Sequence, residues 1–238
     1  MSPLAAQLRL ELTVLARNGE SLLLTLGIPI LLLVFFANVD VLPIDGEPIE
    51  FLAPGVLALA VLSTSLVNLA IATGFEREYG VLKRLGSTPL GRPRLLAAKT
   101  LAILVVEVVQ IGVLWLLALA LGWEPAPRSG FVVAVALGTL ACAGLGLCLA
   151  GSLKALVTLA AANGLYLVLL LLSGMVIPLE ELPGPARAVA RALPSGALAE
   201  AVRGTLLDGG SVPGRAWAVL TAWAIGAPLL ATRLFRWE

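Results

Sequence analysis

Long apolar stretches alternate with shorter polar connections along most of this chain. A helix needs about 20 apolar residues to cross roughly 30 Å of hydrocarbon, because each residue adds only about 1.5 Å. Six stretches reach that length, at about 21–39, 52–74, 95–122, 131–151, 155–177 and 216–235. The pattern predicts an all-α polytopic membrane protein with six transmembrane helices, in a single membrane domain covering residues 1–238.

Residues 3–18 precede the first apolar stretch and show helical periodicity of their own. Their leucines recur along one stripe, while Arg9 and Arg17 belong to another face. This pattern predicts an amphipathic interfacial helix in contact with membrane lipid. A solvated leader helix before the first span is the alternative.

The connection between the last two spans is too apolar for a simple solvated loop. It contains two short helical patterns, at about 185–193 and 195–207, separated at Pro194, and Ser195 is in position to cap the second. Helices of this length cannot cross a bilayer. We expect outer helices within residues 178–210 that either re-enter the membrane or form a surface hairpin.

Composition excludes several classes of protein. Hydrophobic residues make up 59% and charged residues 13% of the chain, whereas soluble domains have about 25% charged residues. The chain has no histidine, and Cys142 and Cys148 both fall in one apolar stretch, which argues against a metal site or a disulfide framework. No lysine follows glycine as in a phosphate-binding loop. We therefore predict no enzymatic activity and no cofactor bound by this chain.

Charge is concentrated in residues 75–99, which carry six of the sixteen Lys and Arg residues. Counting Lys and Arg on alternate sides of the six spans gives eleven on the side of this stretch and five on the other. Under the positive-inside rule, both termini and the charged stretch are predicted to be cytoplasmic. We expect a bacterial plasma membrane and no nucleic-acid partner.

A few polar and small residues stand out within the apolar stretches. Glu107 and Gln110 lie one turn apart in the third, and Asn68 lies in the second. An intramembrane carboxylate indicates a substrate path or a proton site, although structural pairing between helices is an open alternative. In the fourth stretch small residues recur every four positions and predict a helix-packing face; they are Gly138, Cys142, Gly146 and Ala150.

The charged stretch itself allows a short helix from Glu76 to Leu85, which Gly86 and Pro89 would end. Such a helix presents both signs of charge and a small apolar ridge to a soluble partner. A solvated loop is the alternative reading of the composition.

The run Phe75-Glu76-Arg77-Glu78-Tyr79-Gly80, followed by Leu82, Leu85 and Thr88-Pro89-Leu90, resembles the cytoplasmic coupling segment of ABC-2 type transporter permeases. These are the membrane subunits of ATP-binding-cassette exporters. The resemblance implies a coupling segment at 75–94 that docks onto a separate ATPase subunit, which holds ATP and Mg. It also implies a second permease subunit, identical or paralogous, and an interfacial helix beside the ATPase contact. The contact residues implied are Glu76, Arg77, Glu78, Gly80, Lys83 and Arg84.

The function expected from this resemblance is export of an amphiphilic substrate, either a drug-like molecule or a lipid. The short outer loops leave no room for a substrate-binding domain, and the spans are mostly apolar. Two alternatives stay open within membrane transport: export of a lipid-linked polysaccharide, and proton-coupled secondary transport through Glu107. A structural membrane scaffold is a third.

Overall fold

The computed structural model of the protein describes residues 3–38, 47–86 and 91–235. Within those ranges every regular element is a helix. The α-helices are α1 (Pro3–Arg17), α2 (Gly19–Ala37), α3 (Pro48–Leu62), α4 (Leu69–Glu78), α5 (Val81–Gly86), α6 (Arg92–Ala120), α7 (Gly130–Ser152), α8 (Ala155–Leu171), α9 (Gly184–Ala192), α10 (Pro194–Leu206) and α11 (Gly214–Leu234). A π-helical segment at Ser63–Asn68 joins α3 to α4, and a 3₁₀ turn occupies Leu179–Glu181.

The prediction of an all-helical membrane protein is confirmed, but the count of six spans is only partly met. Four helices in the described part of the chain are long and apolar enough to cross a membrane: Pro48–Glu78, Arg92–Ala120, Gly130–Ser152 and Gly214–Leu234. Two further apolar helices, Thr25–Ala37 and Ala155–Leu171, are shorter than that criterion requires. The helix α8 ends before residue 177, the predicted end of the fifth span, because the chain turns at Gly174, whose φ of 76° favours glycine.

The long helix Pro48–Glu78 is the centre of the fold. The side chains of α3 are buried from Leu52 to Leu62, and the helix packs against α2, α6, α7 and α10. At its π-helical segment the Ser63 hydroxyl donates to the carbonyl of Ala60, and the Ser65 hydroxyl donates to the carbonyl of Val61. Both hydroxyl groups are thereby satisfied within their own helix, in an apolar interior.

The N-terminal end of this helix contacts the segment that follows α8. A Cβ on Gly55 would lie 2.1 Å from the carbonyl oxygen of Met175, so only glycine allows this approach. Arg203 on α10 donates to the carbonyl of Gly174 at 3.1 Å and stacks over the ring of Phe51 at 4.1 Å. The segment after α8, the start of α3 and the last turn of α10 therefore form one packed unit.

The two outer helices begin and end within about two residues of the predicted patterns. α10 is buried between α3, α7 and α11, whereas α9 has one buried residue, Ala190, and packs mainly on α10. The predicted capping role of Ser195 is wrong. The helix begins at Pro194, and the Ser195 hydroxyl donates instead to the carbonyl of Leu169 on α8 at 3.0 Å.

The charged stretch forms two helices rather than the single one predicted from Glu76 to Leu85. α4 ends at Glu78, Gly80 adopts a φ of 72°, and α5 starts at Val81. A left-handed glycine ends one helix and redirects the chain, which explains the break. The predicted stop at Pro89, with the motif residues Thr88 and Leu90, lies outside the described residues.

Candidate functional site

The helix α5 projects a small exposed surface at the end of Pro48–Glu78. Leu82 is fully buried in a cluster with Leu69, Leu95 and Phe235, which anchors α5 on α4, α6 and the end of α11. The neighbouring side chains face outward: Tyr79 is 72% exposed, and Val81, Lys83 and Arg84 are exposed as well. We call residues 79–84, apart from the buried Leu82, the coupling surface. One buried leucine thus fixes a short helix whose other side is available for contact.

The residues just before the coupling surface contact other helices. Arg77 donates to the carbonyl of Ala150 at the end of α7, at 2.8 Å. A carboxylate oxygen of Glu78 accepts the backbone N–H of Ala155 at the start of α8, at 3.1 Å. One turn of α4 is therefore hydrogen-bonded to both α7 and α8.

Glu76 is directed inward, toward Lys99 on α6. The Lys99 ammonium lies 2.6 Å from Glu76 and 3.1 Å from Glu11 of α1, and Glu11 also accepts a bond from Gln7 at 2.7 Å. Lys99 is only 2% exposed. We call these four residues the inner ion cluster. The predicted contact set is therefore divided: Glu76 joins this cluster, whereas Gly80, Lys83 and Arg84 belong to the coupling surface.

Sequence reasoning missed the α1 members of the inner ion cluster. Arg9 and Arg17 are exposed, whereas Gln7 and Glu11 are the buried residues of this helix. The available signal was a polar pair four residues apart in a leucine-rich helix, a spacing that puts both side chains on one face. Its partner Lys99 is far away in sequence, so the pairing itself was not visible.

A second polar group lies in the interior between α6 and its neighbours. Glu107 is 0% exposed and accepts the hydroxyl hydrogen of Thr139 on α7. Gln110 accepts from the Thr64 hydroxyl of the π-helical segment and donates to the carbonyl of Thr25 on α2, both at 2.8 Å. These contacts join four helical elements through two residues of α6. We call Glu107, Gln110 and their hydrogen-bond partners the central polar layer.

A cavity of about 660 Å³ opens between α2, the helix Pro48–Glu78 and α8. Most of its wall is apolar, and its polar lining side chains include Thr25, Ser63, Asn68, Asn163 and Tyr166. Of the three residues predicted to line a substrate path, Asn68 lines this cavity. Glu107 and Gln110 do not, because their side chains are directed into helix contacts.

The small residues of α7 lie where neighbouring helices approach closely. A Cβ on Gly138 would lie 2.6 Å from Leu198 of α10, and one on Gly146 would lie 2.7 Å from the carbonyl oxygen of Leu66. Cys142 and Ala150 are fully buried. This face therefore lies against α10 and the π-helical segment.

Comparison with known protein families gives a match that covers most of the chain. The sequence profile described as ABC-2 type transporter matches residues 4–207, from α1 through the coupling surface to the outer helices. A comparison with curated proteins found no significant match. Since the matched region covers well over half of the chain, the protein belongs to the ABC-2 type transporter family, as a membrane domain of an ABC transporter.

Proposed function

We propose that this chain is the permease subunit of an ABC exporter driven by a separate ATP-binding subunit. ATP and Mg would be held by that partner, and this chain would contribute no catalytic residue. Two permease subunits, identical or paralogous, would enclose the transport path. The coupling surface and both termini would face the cytoplasm of a bacterial cell, in agreement with the distribution of Lys and Arg.

The observation that carries this proposal is the coupling surface at the end of the central helix. A partner that binds residues 79–84 acts on the last turn of α4, which is bonded to α6, α7 and α8. Binding to one arrangement of these helices more tightly than to another would shift the population between them. ATP-dependent closure of the partner would therefore change the arrangement of the spans.

The cavity beside the central helix supports an amphiphilic substrate. Its volume of about 660 Å³ falls within the range of about 300–1,000 Å³ for drug-sized ligands. An apolar wall with a few amide and hydroxyl groups suits a molecule with an acyl or aromatic part and a polar end. Proton-coupled transport has less support, because Glu107 does not line this cavity and is hydrogen-bonded to Thr139 of α7.

Charge reversal on α5 tests the coupling role. We expect Lys83→Glu combined with Arg84→Glu to reduce co-purification of the co-expressed ATP-binding subunit by about tenfold or more, since reversed charges oppose association. The matched control is Arg233→Glu, at an exposed cation near the end of α11. Undiminished co-purification of the double variant, with undiminished ATP hydrolysis in the complex, would contradict the proposal.

A further inference from the structure

The ammonium group of Lys99 lies between two carboxylates that belong to different helices. Its side chain is 1% exposed, and those of Glu11 and Glu76 are 11% and 22% exposed. One cation thus faces two anions in a site that is largely closed to water. Burial of an unpaired charge costs several kcal/mol, so Lys99 needs at least one of these partners at all times.

The two carboxylates are held differently. Glu11 accepts a second hydrogen bond from Gln7 on the same helix, and α1 packs along α6. Glu76 lies in the last turn of α4, next to the coupling surface, and is the more exposed of the two. Glu11 is therefore held by Gln7 and by the packing of α1 on α6, whereas Glu76 belongs to α4, the helix that the ATP-binding subunit would move.

A small cavity borders the inner ion cluster. Its volume is about 40 Å³, and its polar lining comes from Asn18 and Asn68 together with Glu11, Glu76 and Lys99. A site needs only roughly 10–15 Å³ to accept a water molecule if polar partners are present. The ammonium group, which has three N–H donors, could therefore replace one carboxylate contact by a contact with water.

We propose that Lys99 is a positioning residue that holds residues 75–86 through Glu76, and that Glu11 is a reserve counter-charge that lets this segment move. If Glu76 were the sole partner, its departure would leave a buried ammonium without an opposite charge. With Glu11 in place, the departing carboxylate carries away the excess negative charge and a neutral pair stays behind. This inference rests on the proposed coupling role of α5.

Two substitutions that each remove one ion pair of Lys99 should therefore have opposite effects on the mobility of residues 75–86. Glu76→Gln frees residues 75–86 while Lys99 keeps Glu11. Glu11→Gln makes Lys99 depend on Glu76 alone, so it loosens α1 and holds residues 75–86 as firmly as before or more firmly. A merely structural cluster would be weakened in the same way by either change.

Amide hydrogen exchange of the purified full chain in detergent, without an ATP-binding subunit, tests this directly. We expect Glu76→Gln to speed exchange in residues 75–86 by about tenfold and to leave residues 3–17 unchanged, as for loss of one charge-assisted bond. Glu11→Gln should speed exchange in residues 3–17 and leave 75–86 equal or slower. Glu200→Gln, which removes the outer ion pair with Arg215, is the control and should alter neither segment.

Equal acceleration of both segments by both variants, or no change in 75–86 with Glu76→Gln, would overturn the proposal. Should a single variant fail to fold, the triple variant Lys99→Met, Glu11→Gln, Glu76→Gln removes all three charges together and should free both segments. Protection of both segments in the triple variant would also overturn it.

The complex with the ATP-binding subunit separates this inference from the proposed function. Glu76→Gln should leave co-purification intact but raise ATP hydrolysis relative to transport of a fluorescent phospholipid in vesicles. A chain that shows the exchange pattern but recruits no ATP-binding subunit would refute the proposed function alone. A complex that forms, with an unchanged ratio of hydrolysis to transport in Glu76→Gln, would refute the role of Lys99 in coupling.

Discussion

Lys99 and Glu107 are ionisable residues about two turns apart on α6, and both are buried, yet their surroundings differ. Lys99 is bonded to two carboxylates from α1 and α4. Glu107 accepts a hydroxyl hydrogen bond from Thr139, and no ion pair to it occurs among the described residues. One helix therefore carries an ion cluster near its beginning and a layer of uncharged hydrogen-bond partners further along.

This contrast shows two ways of keeping polar groups in an apolar protein. Ion pairs bind helices strongly but leave an uncompensated charge when one member is lost. Hydrogen bonds between helices contribute less, and their loss is tolerated better. The inner ion cluster should therefore be sensitive to loss of Lys99, which is the cation of both ion pairs, and the central polar layer should be tolerant.

Lys99→Met is expected to produce the largest loss of stability. The change leaves Glu11 and Glu76 close together without a cation, and removal of one partner from a buried ion pair costs about 3–5 kcal/mol. Unfolding of the purified protein by titration with a denaturing detergent measures the effect. Lys99→Arg, which keeps the charge, should recover most of the lost stability. Equal stability of the Met variant and the unmodified chain would show that the inner ion cluster is not sensitive to loss of its cation.

Gln110→Leu is expected to have an intermediate effect. It removes the bonds to Thr64 and to the Thr25 carbonyl together, and interhelical hydrogen bonds in membranes contribute about 0.6 kcal/mol on average and at most about 1.7. The same titration should therefore show a loss of about 1–2 kcal/mol. A loss as large as that of Lys99→Met would show that the central polar layer is not the more tolerant region.

Glu107→Gln should have the smallest effect. A glutamine carbonyl oxygen can accept the Thr139 hydroxyl hydrogen in place of the carboxylate, so we expect a change below about 1 kcal/mol. Transport by the complex should also persist, because Glu107 does not line the cavity. Loss of transport with stability unchanged would favour the proton-coupled alternative instead.

Local sequence patterns predicted those parts of the fold that depend on neighbouring residues. Helical patterns located α9 and α10 to within about two residues, because Pro194 marks the boundary between the two helices locally. The break between α4 and α5 was missed, although Gly80 is its local cause. Glycine tolerates helical conformations as well as left-handed ones, so the residue type alone did not decide the outcome.

Features that depend on distant residues were not predictable in the same way. The burial of Glu11 depends on the packing of α1 against α6, which no pattern within α1 indicates. Glu107 and Gln110 were predicted to share a role because they share a face, but α7 and the π-helical segment supply different partners to each. The cavity beside Asn68 exists because α2 and α8 leave a gap, which no local pattern reveals.

The proposed function requires that the coupling surface contacts the ATP-binding subunit. The most direct measurement is photocrosslinking, with p-benzoylphenylalanine incorporated in place of Tyr79 while the chain and its ATP-binding subunit are co-expressed. Tyr79 is 72% exposed, and Leu229 on α11, which is 56% exposed, provides the matched control position. We predict a crosslinked product with the ATP-binding subunit from position 79 and none from position 229. No product from position 79, or equal yields from both positions, would show that the coupling surface is not the contact with the ATP-binding subunit.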